Sequence, residues 1–245
     1  MEILSNARLK ELVKLQQKKY RVEAGELLVE GFRLIEQLIS DNIPISEIFC
    51  LEKDVRKMKR ICNAPVTVAV EWQLQKLSGT KNSQNIIALL KAPESKIKKT
   101  DFLLYLDDIS EPGNLGTIFR TASAFGIDGI ILSPGCCEVL NPKVIRASLG
   151  AVFSVPFEIR DAEWLKNQSA MKVCTAMEKA VPIDDIKVWK SPLILVVGSE
   201  AKGISWKILA IADHTVYIPM SGKMESLNAA VSTAIAIYHI RLMNK

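Results

Sequence analysis

Along this chain the spacing of apolar residues switches repeatedly between a period of two and one of about 3.6, which predicts alternating strands and helices. In the first hundred residues, Leu9, Leu12 and Val13 share a helical face behind Asn6, a residue type that caps helices. LLVEG reads as a short strand closing at Gly31, after which Leu34, Ile35, Leu38 and Ile39 fall at helical spacing. ISEIFCL, VTVAV and NIIALLKA read as further strands, with helices around 55–61 and 72–77 between them. APESKIKKTD then interrupts the pattern, being polar, proline-containing and without apolar period. A second series follows, with strands expected at 102–107, 129–132, 172–175, 193–197 and 215–218, and helices at 115–125, 143–149, 206–212 and 228–243. Such alternation predicts an α/β fold with a largely parallel sheet covered by helices on both faces. The domains expected are 1–95 and 102–245, joined by a linker at 96–101.

The totals narrow the classes. A chain of 245 residues, 49% of them hydrophobic, can fill two modest cores. No apolar run is long enough for a membrane span, and the N-terminus lacks the pattern of an export signal. Five cysteines without a CxxC pair, and two histidines, suggest no metal site; the odd count suggests reduced thiols and a cytoplasmic location. Adjacent Cys136 and Cys137 read as small buried residues rather than a redox pair. The net charge of +5 is unevenly spread: residues 1–100 hold 18 Lys or Arg against 12 Asp or Glu, leaving 14 against 15 for the remainder. The basic excess is densest at 8–21 and 53–60, a pattern that suits a polyphosphate partner and equally suits solvated helix faces.

Three polar turns, each behind an apolar strand, carry the candidate chemistry. A turn between a strand end and a helix start gathers unpaired backbone donors, where polar ligands bind. In YIPMSGKMESLNAAVSTAIAIY the turn holds Ser221, Gly222, Lys223, Glu225 and Ser226. In EPGNLGTIFR, Asn114 is expected to cap a helix that carries Arg120 about two turns in. Functionally the pair would face a phosphate or ribose; structurally it is a cap and a surface charge. VVGSEAKGIS supplies Gly198, Ser199, Glu200 and Gly203, yet it is neither a P-loop nor a GxGxxG fingerprint, which argues against both ordinary nucleotide sites.

In order, these segments resemble the three motifs of the SPOUT superfamily, in its SpoU or TrmH-like branch of RNA 2′-O-ribose methyltransferases. Asn114, Gly116, Arg120 and TASAFG match the first motif, Gly198, Glu200 and Gly203 the second, and Pro219, Met220, Ser226, Leu227 and Asn228 the third. NPKVIRASLGAVF is similar to the segment between the first two. The resemblance implies a parallel-sheet SPOUT domain with a deep trefoil knot, against the usual rule on threading, and S-adenosyl-L-methionine bound in it. It implies a cofactor set of Thr175, Gly198, Ile218, Met220 and Leu227, and a catalytic set of Asn114, Arg120, Glu200, Ser226 and Asn228. NARLKELVKLQQKKYRVEAGELLVEGFRLIEQ resembles the substrate-binding domain of the same branch, a ribosomal-protein-like α/β fold, although Asn85 stands where glycine is typical. RNA contacts are accordingly expected from Lys18, Lys19, Arg21, Lys143 and Arg146.

The implied activity is ribose methylation, of ribosomal RNA before transfer RNA, with base methylation a poorer fit to these motifs. A non-catalytic RNA-binding or ribosome-assembly protein on the same fold is the alternative. The family's proposals make Arg120 a base, but a guanidinium stays protonated and accepts no hydrogen bond, so phosphate binding and alkoxide stabilisation suit it better. A homodimer is expected through the last helix, which offers Leu227, Ala230, Val231, Ala234, Ile235 and Tyr238.

Overall fold

The computed structural model describes residues 2–80, 82–199, 201–222 and 226–243. The chain divides into two compact units, the first Met1–Glu94 with Leu140–Ser154 and the second Ser95–Val139 with Val155–Lys245.

In the first unit a mixed sheet runs in the order β1 (Glu2–Ile3), β4 (Val66–Val68), β3 (Ile45–Cys50), β5 (Ile86–Lys91), β2 (Glu26–Glu30). Helices α1 (Asn6–Lys14) and α5 (Glu71–Ser78) cover one face: Leu9, Leu12, Leu74 and Leu77 bury against Phe49, Ile87 and Leu89. Side chains alternate along a strand, so Ile48 and Cys50 point to the opposite face, with α3 (Phe32–Ser40) and α4 (Val55–Ile61). Helix α7 (Pro142–Ala147) packs beside the edge strand β2, covering backbone that would otherwise be open to pairing. The Glu30 carboxylate is buried, and it accepts hydrogen bonds from the hydroxyls of Ser78 (2.6 Å) and Ser83 (2.8 Å) and from the Gln84 amide (2.7 Å). Asn85 adopts φ 59, a left-handed conformation that asparagine tolerates, which accounts for its standing in a glycine's place. Ser5, not Asn6, caps α1, and a helix absent from the expectation, α2 (Lys18–Ala24), follows it.

The second unit is a seven-stranded sheet in which every pairing is parallel. Its order is β10 (Val181–Pro182), β12 (His214–Tyr217), β9 (Met171–Thr175), β11 (Leu193–Gly198), β6 (Phe102–Asp107), β7 (Gly129–Leu132), β8 (Phe157–Ile159). FLLYLD of β6 is buried throughout, as expected of a central parallel strand covered on both faces. Helix α6 (Pro112–Ala124) packs against α10 (Ala229–Met243), while α8 (Ala162–Lys166) packs against α9 (Trp206–Leu209). The far end of α10 is pinned by Arg241, which donates to the Gly126 carbonyl at 2.6 Å and lies 5.1 Å over the Phe102 ring. No helix among the described residues is long and apolar enough to cross a membrane.

Candidate functional site

The adjacent strands β12, β9 and β11 end side by side, and the turns that follow them enclose a cleft of about 420 Å³. Open parallel sheets bind ligands at such carboxyl edges, where the strand order leaves a crevice. Thr175 closes β9 and donates its hydroxyl to the Val196 carbonyl at 3.1 Å, tying two walls together. Gly198 ends β11, and the chain turns back at once: the Gly203 amide donates to the Ser199 carbonyl at 2.8 Å. A Cβ at Gly198 would stand 2.2 Å from the Gly203 carbonyl carbon, so no side chain fits, and Gly203 itself sits at φ 65. Ile218, Met220, Ser226 and Leu227 complete the cleft behind β12. The structure thus brings Thr175, Gly198, Ile218, Met220 and Leu227 around one opening with Ser226, whereas Glu200 lies outside the described residues.

Beside the cleft, Asn228 joins two motifs that are 114 residues apart. Its Oδ1 accepts from the Ala230 amide at 2.9 Å and the Val231 amide at 3.3 Å, which caps α10. Its Nδ2 donates to Asn114 Oδ1 at 2.9 Å. Asn114 is therefore a bridge and not the expected cap: Glu111 caps α6, accepting from the Gly113 amide at 3.2 Å, with Pro112 in the first turn. Arg120 stands exposed on α6 and makes no hydrogen bond or ion pair with any described residue.

Sequence reasoning missed Asp107. It is 7% exposed, and its Oδ2 accepts from the Ser205 amide at 2.8 Å, anchoring the turn after β11 to the end of β6. The signal was an acidic residue closing an otherwise wholly apolar strand. Lys202, Glu178 and Ser232 also line the cleft and were not anticipated. Cys174 lies one residue before Thr175; burial, then the charges of Asp107 and Asp213, push its thiol up to about 12. Burial likewise pushes Cys137 to about 11 and raises Cys136, which donates to the Leu106 carbonyl at 3.3 Å. These thiols stay protonated near neutral pH and are poor nucleophiles. No group of three or more potential metal ligands occurs among the described residues.

Of the cations expected to meet RNA, Lys18 and Lys19 stand exposed on α2, and Lys143 and Arg146 on α7. Arg21 is a correction: it is 6% exposed, and Nη1 donates to the carbonyls of Leu15 (3.1 Å) and Gln16 (2.8 Å), satisfying backbone at the end of α1. A guanidinium folded inward in this way does not present its charge to a surface ligand.

An all-parallel sheet with a cleft of about 420 Å³ at its carboxyl edge defines a ligand-binding α/β domain of neither the P-loop nor the dinucleotide type. The chain belongs to the SpoU rRNA Methylase family, which residues 101–238 match, and residues 6–88 match the MRM3-like substrate binding domain. It is 31% identical, over 98% of both chains, to the 23S rRNA (guanosine(2553)-2′-O)-methyltransferase RlmP of Bacillus subtilis (strain 168). Among solved structures, the AdoMet-bound rRNA methyltransferase from Sinorhizobium meliloti superimposes with a TM-score of 0.83 at 26% identity, covering 99% of this chain and 97% of that one. The SpoU methyltransferase AviRb from Streptomyces viridochromogenes, in complex with the cofactor AdoMet, gives 0.82 at 26% identity with 98% of each chain covered.

Proposed function

We propose that this protein methylates a ribose 2′-hydroxyl of RNA from S-adenosylmethionine, with ribosomal RNA its substrate before transfer RNA. The observation that carries the reading is the strand-end cleft, built from the same turns that match the family's motifs. Its residues suit the cofactor: apolar Ile218 and Leu227 offer main-chain groups to adenine, and Ser226, Ser232 and Glu178 offer polar contacts to the ribose and amino-acid end. When bound, S-adenosylmethionine supplies a methyl activated on a sulfonium, so the chain's tasks are alignment and handling of the ribose proton. The Asn114–Asn228 bridge fixes the start of α10 against α6. Arg120, which has no hydrogen bond or ion pair with a described residue, grips the phosphate beside the target ribose and stabilises negative charge as the hydroxyl loses its proton. The role this reading gives Glu200 is to position its loop or Arg120.

The same reading includes a trefoil knot in the C-terminal region, a two-fold homodimer through α10 and action in the cytoplasm, where the RNA is. RlmP and the Sinorhizobium meliloti rRNA methyltransferase are the relatives from which ribosomal RNA takes precedence. The test is incubation with labelled S-adenosylmethionine and undermodified ribosomal or transfer RNA, followed by nucleoside analysis. Label in a 2′-O-methyl nucleoside of ribosomal RNA is expected. Label confined to a base, or none with RNA despite tight cofactor binding, overturns the reading, and label only in transfer RNA reverses the substrate preference.

A further inference from the structure

The cations of the first unit cease to be equivalent once their partners are known. In the run from Arg8 to Arg21, Arg8 is held by Glu11 at 3.4 Å and Glu47 at 3.8 Å, and Lys19 faces Glu23 at 3.9 Å. Arg21 is buried on backbone carbonyls. Three of the run's six cations are thus engaged within the protein, while Lys10, Lys14 and Lys18 have no ion pair with a described residue.

Helix α4 is different. Val55 and Met58 bury its inner side, and Arg56, Lys59 and Arg60 stand exposed on the other. At 3.6 residues per turn, Arg60 lies about 40° from Arg56 and Lys59 about 60° to its other side, so three cations share roughly 100° of the helix surface. None of the three has an ion pair with a described residue. Exposed Lys53 precedes them, and Lys57 lies 3.2 Å over the half-buried Phe32 ring, with exposed Arg33 next in sequence. The acidic groups on the preceding turn are Glu52 and Asp54, and Cys50, the residue beneath, has a thiol pushed up to about 11 by burial and then by Asp54. Like charges one turn apart repel, and no ion pair with a described residue offsets that repulsion at Arg56, Lys59 or Arg60. No large apolar side chain is exposed among Val55–Ile61, so the face lacks the apolar anchor of a protein interface. Phosphates require only the charge.

We infer that the outer face of α4, centred on Arg56, Lys59 and Arg60, is the principal phosphate-binding surface of the first unit and docks the RNA backbone. It lies across the sheet from α1 and α5. The inference rests on the RNA-methyltransferase reading and adds which surface holds the RNA.

Phosphate contacts carry no base information, so a labelled RNA hairpin of arbitrary sequence serves as probe, titrated between about 50 and 200 mM salt. Two triple variants are compared with wild type, Arg56→Glu/Lys59→Glu/Arg60→Glu and the milder Arg56→Gln/Lys59→Gln/Arg60→Gln. A control carries Lys10→Glu, Lys14→Glu and Lys18→Glu on the other basic run. Loss of three phosphate contacts lowers the slope of log affinity against log salt by about 2 to 3, and affinity by roughly tenfold or more. The control is expected to lose less, and all variants to bind S-adenosylmethionine like wild type. A wild-type slope in both α4 variants, with native circular dichroism and cofactor affinity, overturns the inference, as does a larger loss in the control. If wild-type protein binds cofactor but shows no salt-dependent hairpin binding, the RNA reading itself fails.

Discussion

The side-chain amide of Asn228 is engaged at both ends, its oxygen by the first amides of α10 and its nitrogen by Asn114. Substitutions can separate the two roles. Serine is a good helix cap but does not reach Asn114, whereas alanine removes the cap as well, at about 1 kcal/mol. Asn228→Ser is therefore expected to melt near wild type while losing most single-turnover activity, and Asn228→Ala to lose both. Full turnover by Asn228→Ser would reduce the bridge to a structural cap. Arg120 calls for a different comparison. Lysine keeps the charge but loses the planar fork that holds a phosphate at two points. Arg120→Lys is expected to bind cofactor normally and to lose most turnover at every pH. Steep recovery under alkaline conditions would instead identify position 120 as the proton acceptor, because an amine can deprotonate there.

Among the elements, the turn after β11 has the least tolerance. Alanine at Gly198 drives its Cβ into the backbone of Gly203, which no rotamer relieves. Gly198→Ala is expected to weaken cofactor binding at least tenfold and to destabilise the fold by about 1–3 kcal/mol, as overpacking does. Calorimetry and denaturant melts measure both, and wild-type cofactor affinity would contradict the assignment of this turn as a cleft wall. That glycines stood here was legible; that one is needed for backbone approach and the other for its φ was not. The long buried strands were legible because each is a continuous apolar run between turn residues. The three-residue β8 and two-residue β10 were not, since so short a stretch has no measurable period. Caps were misassigned by one to three residues, at Ser5 for Asn6 and Glu111 for Asn114, because adjacent polar residues compete for one role. The inward turn of Arg21 was illegible for another reason: its partners are backbone carbonyls, and every residue has one.

For the whole molecule, contacts between distant segments decide what the pattern along the chain cannot, as with residues 140–154 joining the first unit. Burial of thiols in both units gives a global pH dependence. Cys50 and Cys137 are pushed from 9.0 to about 11 and Cys174 to about 12. Below the unfolded value these groups are neutral in both states, so their contribution is constant. Above it the unfolded chain releases protons that the native state retains, and stability falls as pH rises through the folded values. Urea midpoints are expected to drop between about pH 9 and 11, less steeply in Cys174→Ser; an unchanged slope there would deny that Cys174 contributes.

The last whole-molecule question is assembly. On α10, Val231, Ile235, Tyr238 and Leu242 are 46%, 39%, 56% and 50% exposed, at positions i, i+4, i+7 and i+11. They form one apolar stripe facing solvent, while Ala230, expected on that side, turns inward with Thr233, Ile237 and Ile240. A second copy of the same helix is expected to cover this stripe with its own, in the two-fold manner in which identical surfaces pair. Sedimentation at micromolar concentration is expected to give twice the 27.2 kDa chain mass. Ile235→Glu with Tyr238→Lys should yield a monomer of unchanged circular dichroism, since neither side chain is buried within its own chain. Wild-type protein sedimenting as a monomer would reject the dimer, and a dimer that persists in the double variant would move the interface away from this stripe.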